Sequence, residues 1–142
     1  MQPVAPEPPY KMLKGERYPI KYLMWEYLRV NKFTQGNEWS DVIDNQEFYL
    51  TIQETFPLLV LTDNHYFMGA VLTKDLWERL KSKYFGQKDS NKFCDLKNVR
   101  LKIKKFQLHI RQVNSKEVFT SFGSLEVRLV IHDCDIMLSE IY

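Results

Sequence analysis

The 142-residue sequence predicts a small β-barrel of five strands, with one helix between the third and fourth strands and another before the first. Three observations predict this fold class. Three segments alternate apolar and polar residues and two apolar runs flank a turn. A helical segment separates the third of these five strands from the fourth, and the fourth shifts its alternation by one residue midway. Because a one-residue shift flips the faces of a strand, it indicates a bulge, and long bent strands are what closure of a small barrel requires.

The composition is that of one soluble globular domain, with 44% hydrophobic and 27% charged residues. No apolar run approaches the ~20 residues of a membrane span, so we expect no membrane partner. Residues 1–18 lack the apolar core of a signal peptide and, with residue 19, hold five of the six prolines. We therefore expect a flexible arm over residues 1–18 and a barrel domain over residues 19–142, with Cys94 and Cys134 as reduced thiols.

The first elements are a helix and a strand. Residues 20–30, "IKYLMWEYLRV", are apolar over most of a helical surface, which is typical of a helix that is buried or covered by a partner. Residues 31–46 are polar and rich in turn formers, and are expected to form a loop. The next segment, "EFYLTIQETF", alternates as a strand and is closed by Pro57.

The second and third strands form a hairpin, "LLVLT" and "YFMGAVLT", around Asp63-Asn64, which suits a two-residue loop. Gly69 in the return strand suggests a bulge or a close backbone approach. The alternation also requires that either Tyr66 or Phe67 point inward.

A helix is predicted over residues 74–85, "KDLWERLKSKYF", directly after the hairpin. Thr73 is suited to be its N-cap. Asp75 lies in its first turn, where a carboxylate is favourable, and Gly86 is a plausible end. Trp77 lies at helical spacing from Leu80 and Tyr84 and is expected to plug the barrel end.

The fourth strand, "VRLKIKKFQLHIRQV", changes phase near Lys104 and Lys105, where we place a bulge or a bend. The fifth is "LEVRLVIHDCDI", and the remaining "MLSEIY" is expected to be a short helix or a tail. This order of elements is that of the five-stranded OB-fold, although an unrelated α+β sandwich could share it.

The charge is uneven. Residues 74–116 hold 13 Lys and Arg against 4 Asp and Glu, a local +9 in a chain of net +2. OB barrels bind single strands with a basic groove and aromatic platforms, so single-stranded nucleic acid is one possible partner. The alternative is that these cations form an ordinary solvated surface. The possible nucleic-acid contacts are Arg100, Lys102, Lys104, Lys105 and Tyr66.

The sequence offers little for an enzyme. His65, His109 and His132 fall on different predicted elements without a Cys or acidic cluster at ligand spacing, and no phosphate loop, GxSxG or HExxH motif occurs. We expect no catalytic site, no metal and no cofactor.

Three segments, "PIKYL", "LLVLTDNHYFMGAVLTKDLWERL" and "VRLKIKKFQLHIRQV" with "SLEVRLVIHDCDI", resemble a known family. The chain is similar to the OB domain shared by the yeast telomerase accessory subunit Ever Shorter Telomeres protein three and the shelterin adaptor that recruits telomerase. The resemblance implies a non-catalytic nuclear protein at chromosome ends. It would bind telomerase reverse transcriptase and other telomerase subunits and support telomere replication, with weak single-stranded telomeric DNA or RNA contact at most. An interaction barrel in an unrelated assembly is a third interpretation.

The resemblance also implies site residues. The acidic hairpin residue of the family matches Asp63, which would support the fold through an ion pair. Asp63 is itself expected to be a turn former rather than a partner contact. Trp25 would stand in for the family's tryptophan near Pro19. The telomerase-facing patch would lie on the helix after the third strand, and the acidic residues after the fifth strand would join it. The expected partner-binding residues are Trp25, Asp75, Glu78, Lys81, Asp135 and Glu140.

Overall fold

A computed structural model describes residues 18–30, 37–85, 93, 95–113 and 124–138. Helix α1 (Pro19–Val30) comes first. The strands are β1 (Asn37–Trp39), β2 (Phe48–Glu54), β3 (Leu59–Thr62), β4 (Phe67–Leu72), β5 (Arg100–Val113) and β6 (Ser124–Ile136). Helix α2 (Lys74–Leu80) continues into a π-helical turn (Lys81–Phe85) between β4 and β5.

Five strands close into a barrel in the order β5, β2, β3, β4, β6 and back to β5. The β4–β6 pair is parallel, and the other pairs between the described strands are antiparallel. The five-stranded OB-fold, its helix between the third and fourth barrel strands and its N-terminal helix are therefore confirmed. The predicted arm lies almost wholly outside the described residues, so the domain boundary stays a prediction.

The predicted loop over residues 31–46 is wrong in part. Strand β1 pairs with the second half of β5, where Trp39 lies opposite His109, and Ile43 forms a bridge to Phe106. The three-residue strand is too short to show a period of its own. Its pairing comes from a partner some 70 positions later in the chain.

The predicted bulge in β5 is confirmed. The β5–β6 register shifts on both sides of Lys105. The shifts lie between the residue pairs Ile103–Cys134 and Phe106–Ile131. Ile103 and Phe106 are consequently both buried, although three positions separate them. The bulge keeps both apolar halves of the strand inside the barrel.

The hairpin differs from its prediction at three points. Its central residues are Asn64 and His65, since the Asp63 N–H donates to the Tyr66 carbonyl at 3.2 Å, and Asn64 takes the left-handed φ of 77°. The β3–β4 register is regular through Gly69, so no bulge occurs there. A Cβ built at Gly69 would meet nothing within 4 Å, which excludes a close approach.

Helix α2 begins as predicted, because the Thr73 side-chain oxygen accepts a hydrogen bond from the Leu76 N–H at 3.2 Å. Its last turn is π-helical rather than α-helical. Leu76 and Leu80 are buried against the barrel end, while Trp77 is half-buried and packs against the core. The predicted end at Gly86 lies outside the described residues.

The core fills the barrel interior, and α1 adds Ile20 and Leu23 to it. Phe48 and Phe106 meet edge to face at its centre, with ring centroids 5.0 Å apart. Cys134 is buried as a free thiol, and Cys94 lies outside the described residues. Among the helices that the structure describes, none has the length and apolarity to cross a membrane.

Candidate interaction surfaces

Two carboxylates on β6 organise the charged surface beside α2. Asp133 lies 3.3 Å from the guanidinium of Arg79 and 3.8 Å from the Lys104 ammonium. Asp135 lies 3.2 Å from Lys104 and 3.8 Å from Lys83. The hydrogen bond to Asp135 is the main cause that raises the pKa of Lys104 above its ordinary value, although partial burial opposes it. The two acids thus neutralise cations from α2, its π-helical turn and β5.

Four of the predicted partner-binding residues lie in the described part of the chain: Asp75, Glu78, Lys81 and Asp135. Asp75 is exposed in the first turn of α2, and Glu78 pairs with Lys81 at 3.1 Å. Asp135 lies at the end of β6, one residue before its last residue, Ile136. The side chain of Trp25 and the whole of Glu140 lie outside the described residues. Partner binding by these side chains stays a prediction.

The resemblance implies that Asp63 supports the fold through an ion pair. Its carboxylate instead accepts hydrogen bonds from backbone amides, at 3.0 Å from His65, 2.8 Å from Tyr66 and 3.2 Å from Ile20. It forms no ion pair with another residue in the described part of the chain. Tyr18 packs edge-on against His65 beside it, with centroids 4.4 Å apart.

The cations predicted to hold phosphates are not a free basic track. Lys102 pairs with Glu47 at 3.3 Å, and Lys104 lies between the two β6 acids. The Arg100 guanidinium lies over the Tyr49 ring, 4.5 Å from its centroid. Lys105 remains exposed at the bulge. Carboxylates therefore neutralise Lys102 and Lys104 among these four cations.

Four exposed apolar side chains, together called the apolar patch, lie on the outer face of the hairpin and in the loop before it. Phe56 is 77% exposed, Leu58 67% and Phe67 72%, with Val71 also exposed. Tyr66 and Phe67 are both exposed, so the expectation that one points inward is wrong. The patch was missed in the sequence because apolar residues occur on both faces of these strands. Apolar residues on both faces of a strand were nevertheless the sign that one face would remain exposed.

A stacked aromatic pair lies on the outer face of the barrel. Trp39, 57% exposed, stacks on His109 with centroids 4.1 Å apart. His109 is in register with Arg128, which is in register with Gly69. Glu126 holds the Arg128 guanidinium at 2.7 Å. Trp39 was missed because its segment was predicted to be a loop.

No group of three or more His, Cys, Asp or Glu side chains in the described ranges is placed to hold a metal ion. The expected absence of a cofactor stays a prediction. The surfaces above are ones that could bind macromolecules.

Comparison with known proteins identifies the family. Residues 34–141 match the family of the telomere-binding protein beta subunit (TEBP beta). The telomere-binding protein subunit beta of Sterkiella nova is 29% identical over 123 residues, 85% of this chain, and that of Stylonychia mytilus is 31% identical over 102 residues, 70% of this chain. The matched regions span only 31% and 25% of those two proteins.

A solved structure supports the fold. The Est3 telomerase subunit of the yeast Hansenula polymorpha superposes with a TM-score of 0.50 at 14% identity, covering 96% of this chain and 79% of that one. The predicted likeness to telomere and telomerase OB domains is thereby confirmed. The chain belongs to the telomere-binding protein beta subunit family.

Proposed function

We propose that this protein is a non-catalytic accessory subunit that binds the telomerase catalytic protein and supports telomere replication in the nucleus, at chromosome ends. The observation that carries the proposal is the exposed apolar patch formed by Phe56, Leu58, Phe67 and Val71. Membership of a telomere-binding family and the fold of a telomerase subunit support the choice of partner.

The patch favours a protein partner on energetic grounds. Scattered exposed apolar residues are ordinary, but neighbouring ones on a flat strand face are typical of interfaces. The β3–β4 register places Leu59 opposite Ala70, so Leu58 falls opposite Val71 at the end of the same ladder. Burying such side chains contributes roughly 25 cal/mol per Å² of apolar surface removed from water.

The test is affinity purification of the tagged full chain from its own cells, probing for telomerase RNA and the catalytic subunit after nuclease digestion of DNA. We expect both to be enriched with the native chain and lost with Phe67→Ser. Gln53→Ser, at an exposed polar position on β2, is the matched control. Absence of both from the native purification would contradict the proposal.

Single-stranded nucleic-acid binding is the second candidate function. The stacked Trp39–His109 pair beside Arg128 favours it, because base stacking on an aromatic platform near a cation is how OB-folds hold single strands. A titration with single-stranded telomeric DNA at several salt concentrations tests it. Affinity that falls steeply with salt would support phosphate contact.

A further inference from the structure

An open cleft of about 440 Å³ lies where α2 meets the end of the β3–β4 hairpin. Four half-buried apolar side chains and one lysine line it: Leu59, Leu72, Lys74, Trp77 and Phe93. Its volume falls in the range of roughly 300–1,000 Å³ that is usual for ligand sites. It is separate from the outer apolar patch, since Leu59 and Leu72 alternate with the exposed Leu58 and Val71.

The walls of the cleft are held in place by their elements. Leu59 begins β3 and Leu72 ends β4, and the next residue, Thr73, caps the helix that turns across the barrel end. The Trp77 ring meets Phe93 edge to face with centroids 5.3 Å apart. The backbone N–H of Thr73 also donates to the Ile131 carbonyl at 3.1 Å, which ties the start of α2 to β6.

One cation lines the cleft. Lys74 is exposed at the first position of α2 and forms no ion pair with another residue that the structure describes. Lys81, two turns later, extends its ammonium over the Trp77 ring at 5.6 Å, but Glu78 already pairs with it. An occupant would therefore combine an apolar group for the cleft with a negative charge for Lys74.

We propose that this cleft receives an apolar side chain from a protein partner whose neighbouring carboxylate pairs with Lys74. The inference rests on the proposed function in taking the partner to be a protein. A nucleobase fits less well, because Lys81 lies over the Trp77 ring and Phe93 packs against the same ring edge to face. Apart from Lys74 and the indole N–H of Trp77, which are both donors, the lining side chains offer no hydrogen-bonding group for reading a base.

The test uses two matched peptides, Ac-Ala-Glu-Leu-Phe-Glu-Ala-NH2 and its Gln counterpart, titrated into the methyl-labelled full chain and followed by NMR. We expect shifts at the methyls of Leu59 and Leu72 and at the indole of Trp77. The Gln peptide should bind roughly two- to five-fold more weakly, the effect of a partly exposed ion pair. Lys74→Gln should abolish this preference, whereas Lys105→Gln, at the exposed bulge on β5, should preserve it.

Three outcomes would overturn the inference. One is equal affinity of the native chain for the two peptides, and another is shifts that avoid the cleft. The third is displacement of the Glu peptide by a dT12 oligonucleotide with shifts at the same methyls, which would assign the cleft to nucleic acid. If the peptides fail while the purified chain still retains telomerase RNA, the cleft assignment fails and the proposed function stands.

Discussion

The carboxylate of Asp63 accepts a hydrogen bond from the backbone N–H of Ile20, 43 positions earlier in the chain, at 3.2 Å. Ile20 is the second residue of α1, where an N-cap side chain would ordinarily satisfy the free amide. Tyr18 precedes the helix and cannot do this with its phenol ring, and Pro19 has no N–H to satisfy. Asp63 thus caps the helix with its Oδ2 atom and holds the hairpin turn with its Oδ1 atom.

Asp63→Ala should therefore destabilise two elements at once. We expect a loss of about 1–3 kcal/mol in the free energy of unfolding, the sum of a lost cap and a lost turn. Urea unfolding measures the loss, and hydrogen exchange in α1 should quicken more than in β5. Asp44→Ala, at an exposed position, is the control. Unchanged exchange at Ile20 would show that the cap does not hold the helix.

Asp135→Asn should lower the free energy of unfolding slightly while leaving the fold intact. It removes the negative partner of Lys104 and Lys83, which are partly exposed. Exposed pairs contribute little each, so we expect a loss of about 0.5–1 kcal/mol, measured by urea unfolding at low salt. The difference from the native chain should shrink at high salt as screening increases. If the stability loss does not change with salt, it comes from altered packing rather than from the ion pairs.

The stability of the protein should fall at alkaline pH because of Cys134. Burial, together with Asp133 and Asp135, raises the pKa of this thiol to about 12 from its ordinary value of 9.0. The stability that the folded state gains from keeping this thiol neutral is therefore fully present below pH 9. It is lost as the pH rises from 9 towards 12, because only the thiol of the unfolded chain ionises readily in that range. The slope should approach ~1.4 kcal/mol per pH unit.

Urea unfolding between pH 8 and 10 measures that slope, and Cys134→Ala should flatten it. The raised pKa of Lys104 acts in the same direction, but only above its ordinary value of 10.5. Equal slopes for the native chain and Cys134→Ala below pH 10 would contradict the assignment.

Phe67→Ser should separate folding from partner binding. The side chain is mostly exposed, so we expect the free energy of unfolding to change by no more than about 0.5 kcal/mol. If Phe67 is an anchor of the interface, binding of the catalytic subunit should weaken by about 2 kcal/mol or more. Parallel urea unfolding and quantitative co-purification give the two numbers. A large stability loss would make Phe67 structural.

Trp39→Leu tests the second candidate function. Loss of one stacked base should weaken single-stranded DNA binding by about 1–3 kcal/mol, with the salt slope unchanged because no phosphate contact is removed. Trp39→Phe should recover part of the affinity. A titration followed by fluorescence anisotropy measures both. Identical affinity for Trp39→Leu and the native chain would remove the platform from consideration.

The sequence alone determined the features that depend on near neighbours. The alternation in residues 99–113 predicted both the strand and its bulge at Lys105, and Thr73 predicted where α2 begins. These predictions succeeded because a strand period and a helix cap are set within a few residues. The position of the helix between the third and fourth barrel strands then identified the OB-fold.

The tertiary structure decided what distant residues do to one another. Both faces of β3 and β4 are apolar, so only barrel closure shows which face is left outside with Phe67. The lysines of β5 looked like a basic track until folding placed the β6 acids and Glu47 against them. Burial and charge pairing depend on which strands become neighbours, and the local sequence pattern does not contain that information.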